Sequence, residues 1–187
     1  MTEQFSSFFP ILNDLIKQRR SVRVYEDKVP DNENIWAILE TAIWAPSASN
    51  MQARCFIVVK KKEILKKIIA FSPGIIGEPP ILIVLCSDKK KAYEVGGELG
   101  KNLTSIMDVA LSAQNIMLAA WAKGLGTCPI LSFNSRAIAQ ILKLPEHIYP
   151  ELIVSVGYPK TIPSPPKRPD LKEVVFYEEY GNRELKK

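Results

Sequence analysis

Residues 103–128 read LTSIMDVALSAQNIMLAAWAKGLGTC, a long helical pattern closed by a Gly-x-Gly turn. Its apolar members run from Leu103, Ile106 and Met107 through Val109, Leu111, Ala113 and Ile116 to Met117, Ala120 and Trp121, and they cover nearly the whole circumference of an α-helix. A helix that is apolar all round has to be buried all round. A chain of 187 residues can scarcely surround such a helix by itself, so part of it is expected to pack against a second copy of the chain.

On either side the chain alternates short helices with apolar runs. Upstream, Pro10 suits the first turn of a helix because it needs no amide hydrogen there, and Ile11, Leu12, Leu15 and Ile16 form one stripe. A second helix follows Pro30, capped by Asp31 or Asn32, with Ile35, Ile38, Leu39, Ala42 and Ile43 at helical spacing; Pro46 ends it. Residues 55–59 and 81–86 are continuous apolar runs, the pattern of strands covered on both faces. Ile64, Leu65, Ile68 and Ile69 place a short helix between them. Downstream, residues 127–131 read as a strand, Asn134 caps a helix carried by Ile138, Ile141 and Leu142, and residues 152–156 form another buried strand. Pro163, Pro165, Pro166 and Pro169 then stiffen an arm, at about 3 Å per residue, that leads to a last expected strand over residues 173–177. The expected organisation is one domain over residues 1–187, with 1–9 as an N-terminal extension and 160–187 as an extended C-terminal arm.

Composition excludes several classes. A 47% hydrophobic and 24% charged chain is globular, neither disordered nor collagen-like. No apolar run approaches the ~20 residues that span a bilayer, and no basic residue precedes Lys17, so no membrane association and a cytoplasmic location are expected. The one histidine, His147, rules out metal sites that need two or three imidazoles. It reads as a surface residue, with no Ser or Cys partner near it in sequence, and no metal site is expected. Cys55, Cys86 and Cys128 are about thirty or more positions apart, without a C-x-x-C, which fits a reducing compartment. Gly124-Leu125-Gly126 follows a helix and has Pro129 at the third glycine position, so it is not a dinucleotide loop.

The net charge of +5 is concentrated in two places. Residues 60–67 hold five positive and one negative charge at a strand end and along the open face of an amphipathic helix, where they serve solubility. No nucleic-acid module is present and the aromatics are not interleaved with basic residues, so no nucleic-acid partner is expected. Residues 17–23, KQRRSVR, carry four positive charges, no negative one and a hydroxyl. Forked guanidinium donors beside a serine are phosphate chemistry by residue type; the alternative is a basic helix end that complements the helix dipole.

Four motifs occur in order. Arg19-Arg20-Ser21-Val22-Arg23-Val24-Tyr25 follows the first helix, and Ala45-Pro46-Ser47-Ala48-Ser49-Asn50-Met51-Gln52 the second. Ala113-Gln114-Asn115-Ile116 leads into Gly124-Leu125-Gly126-Thr127-Cys128, and Gly157-Tyr158-Pro159 closes the last buried strand. In this order and spacing the chain resembles the FMN-dependent nitroreductase family.

The resemblance implies an α+β fold, a mixed β-sheet surrounded by helices, in an intertwined homodimer with two FMN sites at the subunit interface. The long apolar helix would be the dimer core, and the proline-rich arm would reach over the other subunit. It also implies an oxidoreductase in which flavin N5 carries the hydride, NADH or NADPH is the co-substrate, and nitroaromatics, quinones or a related small acceptor are reduced in ping-pong order. No side chain is assigned a catalytic role. Arg19, Ser21 and Arg23 would bind the FMN phosphate and ribityl chain, with Arg20 near the ring's polar edge or the ribityl hydroxyls. Lys167 and Arg168 match the family's late basic pair at the phosphate. Pro46, Ser47, Ala48 and Asn50 would come from the other subunit. Pro129, Ile130, Leu131 and Ser132 would lie against the isoalloxazine, with an N–H of Leu131 or Ser132 aimed at N5 and O4. Phe71 and Tyr93 are the aromatics available over the exposed ring face, with simple packing as the alternative.

Two departures stand out. The chain reads Asn50-Met51-Gln52-Ala53-Arg54 where the family commonly has Asn-x-Gln-Pro-Trp, and Ser132 where a glycine is common. They leave the acceptor open, with flavin destruction, dehalogenation, or flavin binding without turnover as alternatives.

Overall fold

Alternate side chains of a strand point to opposite faces, and residues 81–86 are apolar at every position, so their strand needs a cover on each side. The computed structural model, which describes residues 7–184, supplies both covers. In chain order the elements are α1 (Phe8–Gln18), α2 (Asn32–Ile43), β1 (Arg54–Val59), α3 (Lys62–Ala70), β2 (Ile81–Asp88), α4 (Lys89–Leu99), α5 (Ser105–Ala122), β3 (Gly126–Ile130), α6 (Ser135–Ile141), β4 (Ile148–Gly157) and α7 (Leu171–Val174). The sheet order is β1-β2-β4-β3, antiparallel throughout, so β2 and β4 are central.

Ile81, Ile83 and Leu85 of β2 face α2 and α5, packing with Ile35, Ile38, Val109, Ile116 and Ala120. Leu82, Val84 and Cys86 face α3 and α6, packing with Leu65, Ile68 and Ile138. Each such side chain contributes about 1.5–3 kcal/mol when fully buried, which fixes the sheet between two helical layers.

The α+β class expected from the sequence is the one observed. The four strands form no parallel pair; the mixed character is confined to an isolated parallel bridge between Ser21 and Thr127. Asp31 is the residue that caps α2, accepting from the Asn34 amide, and Asn134 caps α6. Residues 1–6 of the expected extension lie outside the described residues, and α1 already begins at Phe8.

Two elements differ from expectation. Residues 89–99 form a helix that the sequence pattern did not announce, because Gly96 and Gly97 interrupt it and Gly97 adopts φ +58°. Residues 173–177 do not form a strand: Asp170 caps a single helical turn, Leu171–Val174, and Val175 follows it in an extended conformation.

The continuous helical stretch Lys89–Ala122, of which α5 is the last and most apolar part, is long and apolar enough, by length and composition alone, to cross a membrane. α5 packs instead on the sheet through Val109, Ala113, Ile116 and Ala120, while Ile106, Met107 and Leu111 face outward and exposed. Trp36, Ile43 and Trp44 around α2 are exposed as well.

Candidate cofactor site

The basic segment after α1 is held against β3 by its backbone. At Arg19 the chain leaves the helix in an extended conformation, φ −54° and ψ 134°. The Val22 amide donates to Thr127 O at 2.9 Å. The approach is so close that a Cβ on Gly126 would sit 2.6 Å from Val22 Cβ, which no side chain allows. The Tyr25 hydroxyl fastens the far end, donating to Val22 O at 2.6 Å and sharing a 2.7 Å hydrogen bond with Ser155 Oγ. Burial pushes the Tyr25 pKa well above its usual value.

The guanidinium of Arg19 is half-buried, and its Nη1 has no protein hydrogen-bond partner. Burial, then repulsion from Arg168 and Arg20, lowers its pKa. No carboxylate answers this charge; the ion pair found among the described residues is Lys89–Glu151, elsewhere in the fold. Arg168 of the C-terminal arm is thus near enough to Arg19 to act on its charge, and both Arg168 and its neighbour Lys167 are exposed. Arg20 folds back, its Nη1 donating to Lys17 O at 2.6 Å and Arg19 O at 3.0 Å, so it closes the end of α1. Arg23 donates to Ser21 O at 3.4 Å. Cys128 lies among these groups: burial raises its thiol pKa, against the opposing pull of Arg23, Arg19 and a hydrogen bond from Ser21. Thr127 Oγ1, buried beside them in β3, also lacks a partner. Guanidiniums gathered without a counter-ion, one of them with an unused buried donor, fit a phosphate group by their chemistry.

Pro129, Ile130, Leu131 and Ser132 continue along β3 and past its end. Ile130 is buried in the core, whereas Pro129, Leu131 and Ser132 are exposed. Leu131 and Ser132 lie just past the end of β3, the strand whose Thr127 carbonyl accepts from Val22. Neither the Leu131 nor the Ser132 amide has a protein acceptor among the described residues. The Ser132 carbonyl accepts from the Gly74 amide at 3.0 Å, which ties this segment to the loop after α3. Phe71 ends α3 and Tyr93 lies on α4, both exposed.

Pro46, Ser47, Ala48 and Asn50 are not part of this group within the chain. They lie in the turn after α2, where the Ala48 amide donates to Asp108 Oδ1 at 3.1 Å. Asp108 is in the first turn of α5, whereas Thr127 follows its last turn, so about 20 Å of helix at 1.5 Å per residue separates the two sets. Asp108 went unread at the sequence level; an acid inside an otherwise apolar helix was the available signal.

Comparisons with known proteins bear on the fold and the family. The nitroreductase family model matches residues 16–72 and 70–158. A protein of Archaeoglobus fulgidus whose name couples NADH dehydrogenase with NAD(P)H nitroreductase is 36% identical over 155 residues, 78% of this chain and 84% of that protein. An FMN reductase (NADPH) of Bacillus subtilis is 27% identical, over 90% of this chain and 74% of that one. The crystal structure of a nitroreductase family protein from Clostridium difficile superimposes with a TM-score of 0.79 at 31% identity, covering 89% of this chain and 97% of that chain. Sheet, helical layers and sequence thus converge on one class of protein. The chain belongs to the nitroreductase family.

Proposed function

We propose that the chain is an NAD(P)H-dependent FMN oxidoreductase that acts as a homodimer on small acceptors such as nitroaromatics or quinones, in ping-pong order. The observation that carries this reading is the half-buried, unpartnered guanidinium of Arg19, crowded by Arg168 and Arg20 with no carboxylate nearby. When bound, FMN supplies the redox chemistry, exchanging a hydride with the nicotinamide and electrons with the acceptor at a ring the protein need only hold and shield.

The chain's own residues hold and orient. Arg19, Arg23 and Arg168 grip the phosphate through charge-assisted hydrogen bonds, Ser21 adds a neutral donor and Lys167 adds charge. Arg20 holds the helix end that carries them. The amides of Leu131 and Ser132 lie on the edge beyond β3, free to donate to the ring's polar edge. Pro46, Ser47, Ala48 and Asn50 exclude water from the opposite side. A pocket that uses both sets draws them from two copies in this reading, which the roughly 20 Å of α5 between them in one chain supports. The exposed apolar faces of α5 and α2 support the same arrangement, and the three free thiols suit the cytoplasm.

The test is anaerobic. FMN-loaded protein should bleach with NADH or NADPH and recover colour when an acceptor is added. A colourless protein that cannot be reconstituted with FMN sinks the proposal.

A further inference from the structure

At the head of β1 the chain places Arg54 where the resembling family commonly has tryptophan. Its guanidinium is turned inward. Nη2 donates to Ile43 O at 2.9 Å and to Ala45 O at 2.8 Å, two carbonyls at the end of α2 that no helical amide reaches. Pro46 follows at once and has no N–H to offer them. Nη1 is buried and has no protein acceptor. Near it is Asp108, 3% exposed, whose Oδ1 accepts from the Ala48 amide and whose Oδ2 is buried without a donor. The two side chains do not form a direct ion pair, yet Asp108 is the charge Arg54 senses: it opposes the lowering of the arginine's pKa by burial.

Between these two anchors the backbone is strained. Ser49, Asn50 and Gln52 have φ of 49°, 51° and 48°, three side-chain-bearing residues in the left-handed region within four positions. Such conformations persist only when the surroundings over-determine them. Besides the turn's own hydrogen bonds, Asn50 N to Ser47 O, Met51 N to Ala48 O, Gln52 Nε2 to Asn50 Oδ1 and the Gln52 amide to Ser47 Oγ, it is tied from outside by the Arg54 clamp before it, Asp108 on Ala48, and Lys91 Nζ on Gln52 O at 3.4 Å. A tryptophan at position 54 has one N–H and could not serve two carbonyls; the guanidinium fork can.

We propose that Arg54, acting with Asp108, is a positioning residue that holds the strained turn of residues 45–52 in the shape that closes over FMN across the subunit interface. The proposal rests on the reading of Pro46, Ser47, Ala48 and Asn50 as part of the flavin pocket, and it names what sets their geometry in this chain.

The full-length variants Arg54→Met, Arg54→Lys and Asp108→Asn test it with two readouts: FMN dissociation constants by flavin fluorescence, and amide hydrogen exchange in the FMN-free protein. Arg54→Met should weaken FMN binding about tenfold, the effect of losing a hydrogen bond from a charged group. It should speed exchange at residues 45–52 while β2 and β4 stay protected. Arg54→Lys should restore part of both, and Asp108→Asn should repeat the phenotype with less than additive effect in the double variant. Unchanged affinity together with unchanged exchange in Arg54→Met overturns the proposal. So does a loss of protection spread evenly through the sheet, which marks a residue of general stability. Should Arg54→Met fail to fold, Asp108→Asn keeps side-chain size and an acceptor for Ala48, and wild-type behaviour in it overturns the proposal equally. A wild-type chain that binds no FMN defeats the proposed function and this inference together, whereas normal wild-type binding with indifferent variants defeats only this inference.

Discussion

Arg19 shows how a single side chain defines a site. A guanidinium at a helix end is ordinarily a solvated complement to the helix dipole; this one is half-buried, lacks a partner at Nη1 and has two further guanidiniums among its neighbours. Arg19→Ala should therefore weaken FMN binding by about tenfold to a hundredfold, the range of a hydrogen bond to a charged group, in fluorescence titration. Arg19→Lys should recover little, because an ammonium lacks the fork. Tyr25 makes a prediction about pH. Burial raises its folded-state pKa, so the folded protein keeps a proton that the unfolded chain gives up near pH ~10. The stability it contributes is complete below that pH and is lost as pH rises toward the folded value. Urea unfolding should show this decline, and Tyr25→Phe should abolish it while lowering stability at neutral pH by about 1–2 kcal/mol through the lost hydrogen bonds to Val22 and Ser155.

At the scale of elements, α5 has two apolar faces with different duties. Ile116 meets the sheet, whereas Met107 is 55% exposed. Ile116→Ala should cost about 2–5 kcal/mol as a cavity. Met107→Lys together with Leu111→Glu should leave the circular dichroism unchanged and shift the protein from dimer to monomer in light scattering. Strands were the legible elements: β2 lies where an unbroken apolar run must be covered twice, and β4 and β1 follow the same logic. α4 was not legible, because two adjacent glycines and three lysines mask its period. The strand expected over residues 173–177 failed for a different reason. A Val-Val-Phe-Tyr run becomes a strand only beside an edge that pairs with it, and with none beside it the Asp170 cap prevails. The charge of residues 17–23 was legible as phosphate chemistry. Its arrangement was not, since which arginine turns back, which of Lys167 and Arg168 approaches Arg19, and where Asp108 and Thr127 lie are set by packing between segments far apart in sequence.

At the scale of the whole molecule, the basic segment and the C-terminal arm bring charges of the same sign, Arg19 and Arg168, within reach of each other. Like charges push apart, so under the proposed function this meeting would act as a spring that a bound dianion would hold shut. The outline of the protein should then report its loading. Without an anion, the proline-rich arm should lift away and be cut by protease within residues 160–170. With FMN present, cleavage there should slow, and a few millimolar inorganic phosphate should reproduce part of the protection. An arm cut at the same rate in both states would mean that the spring carries no tension.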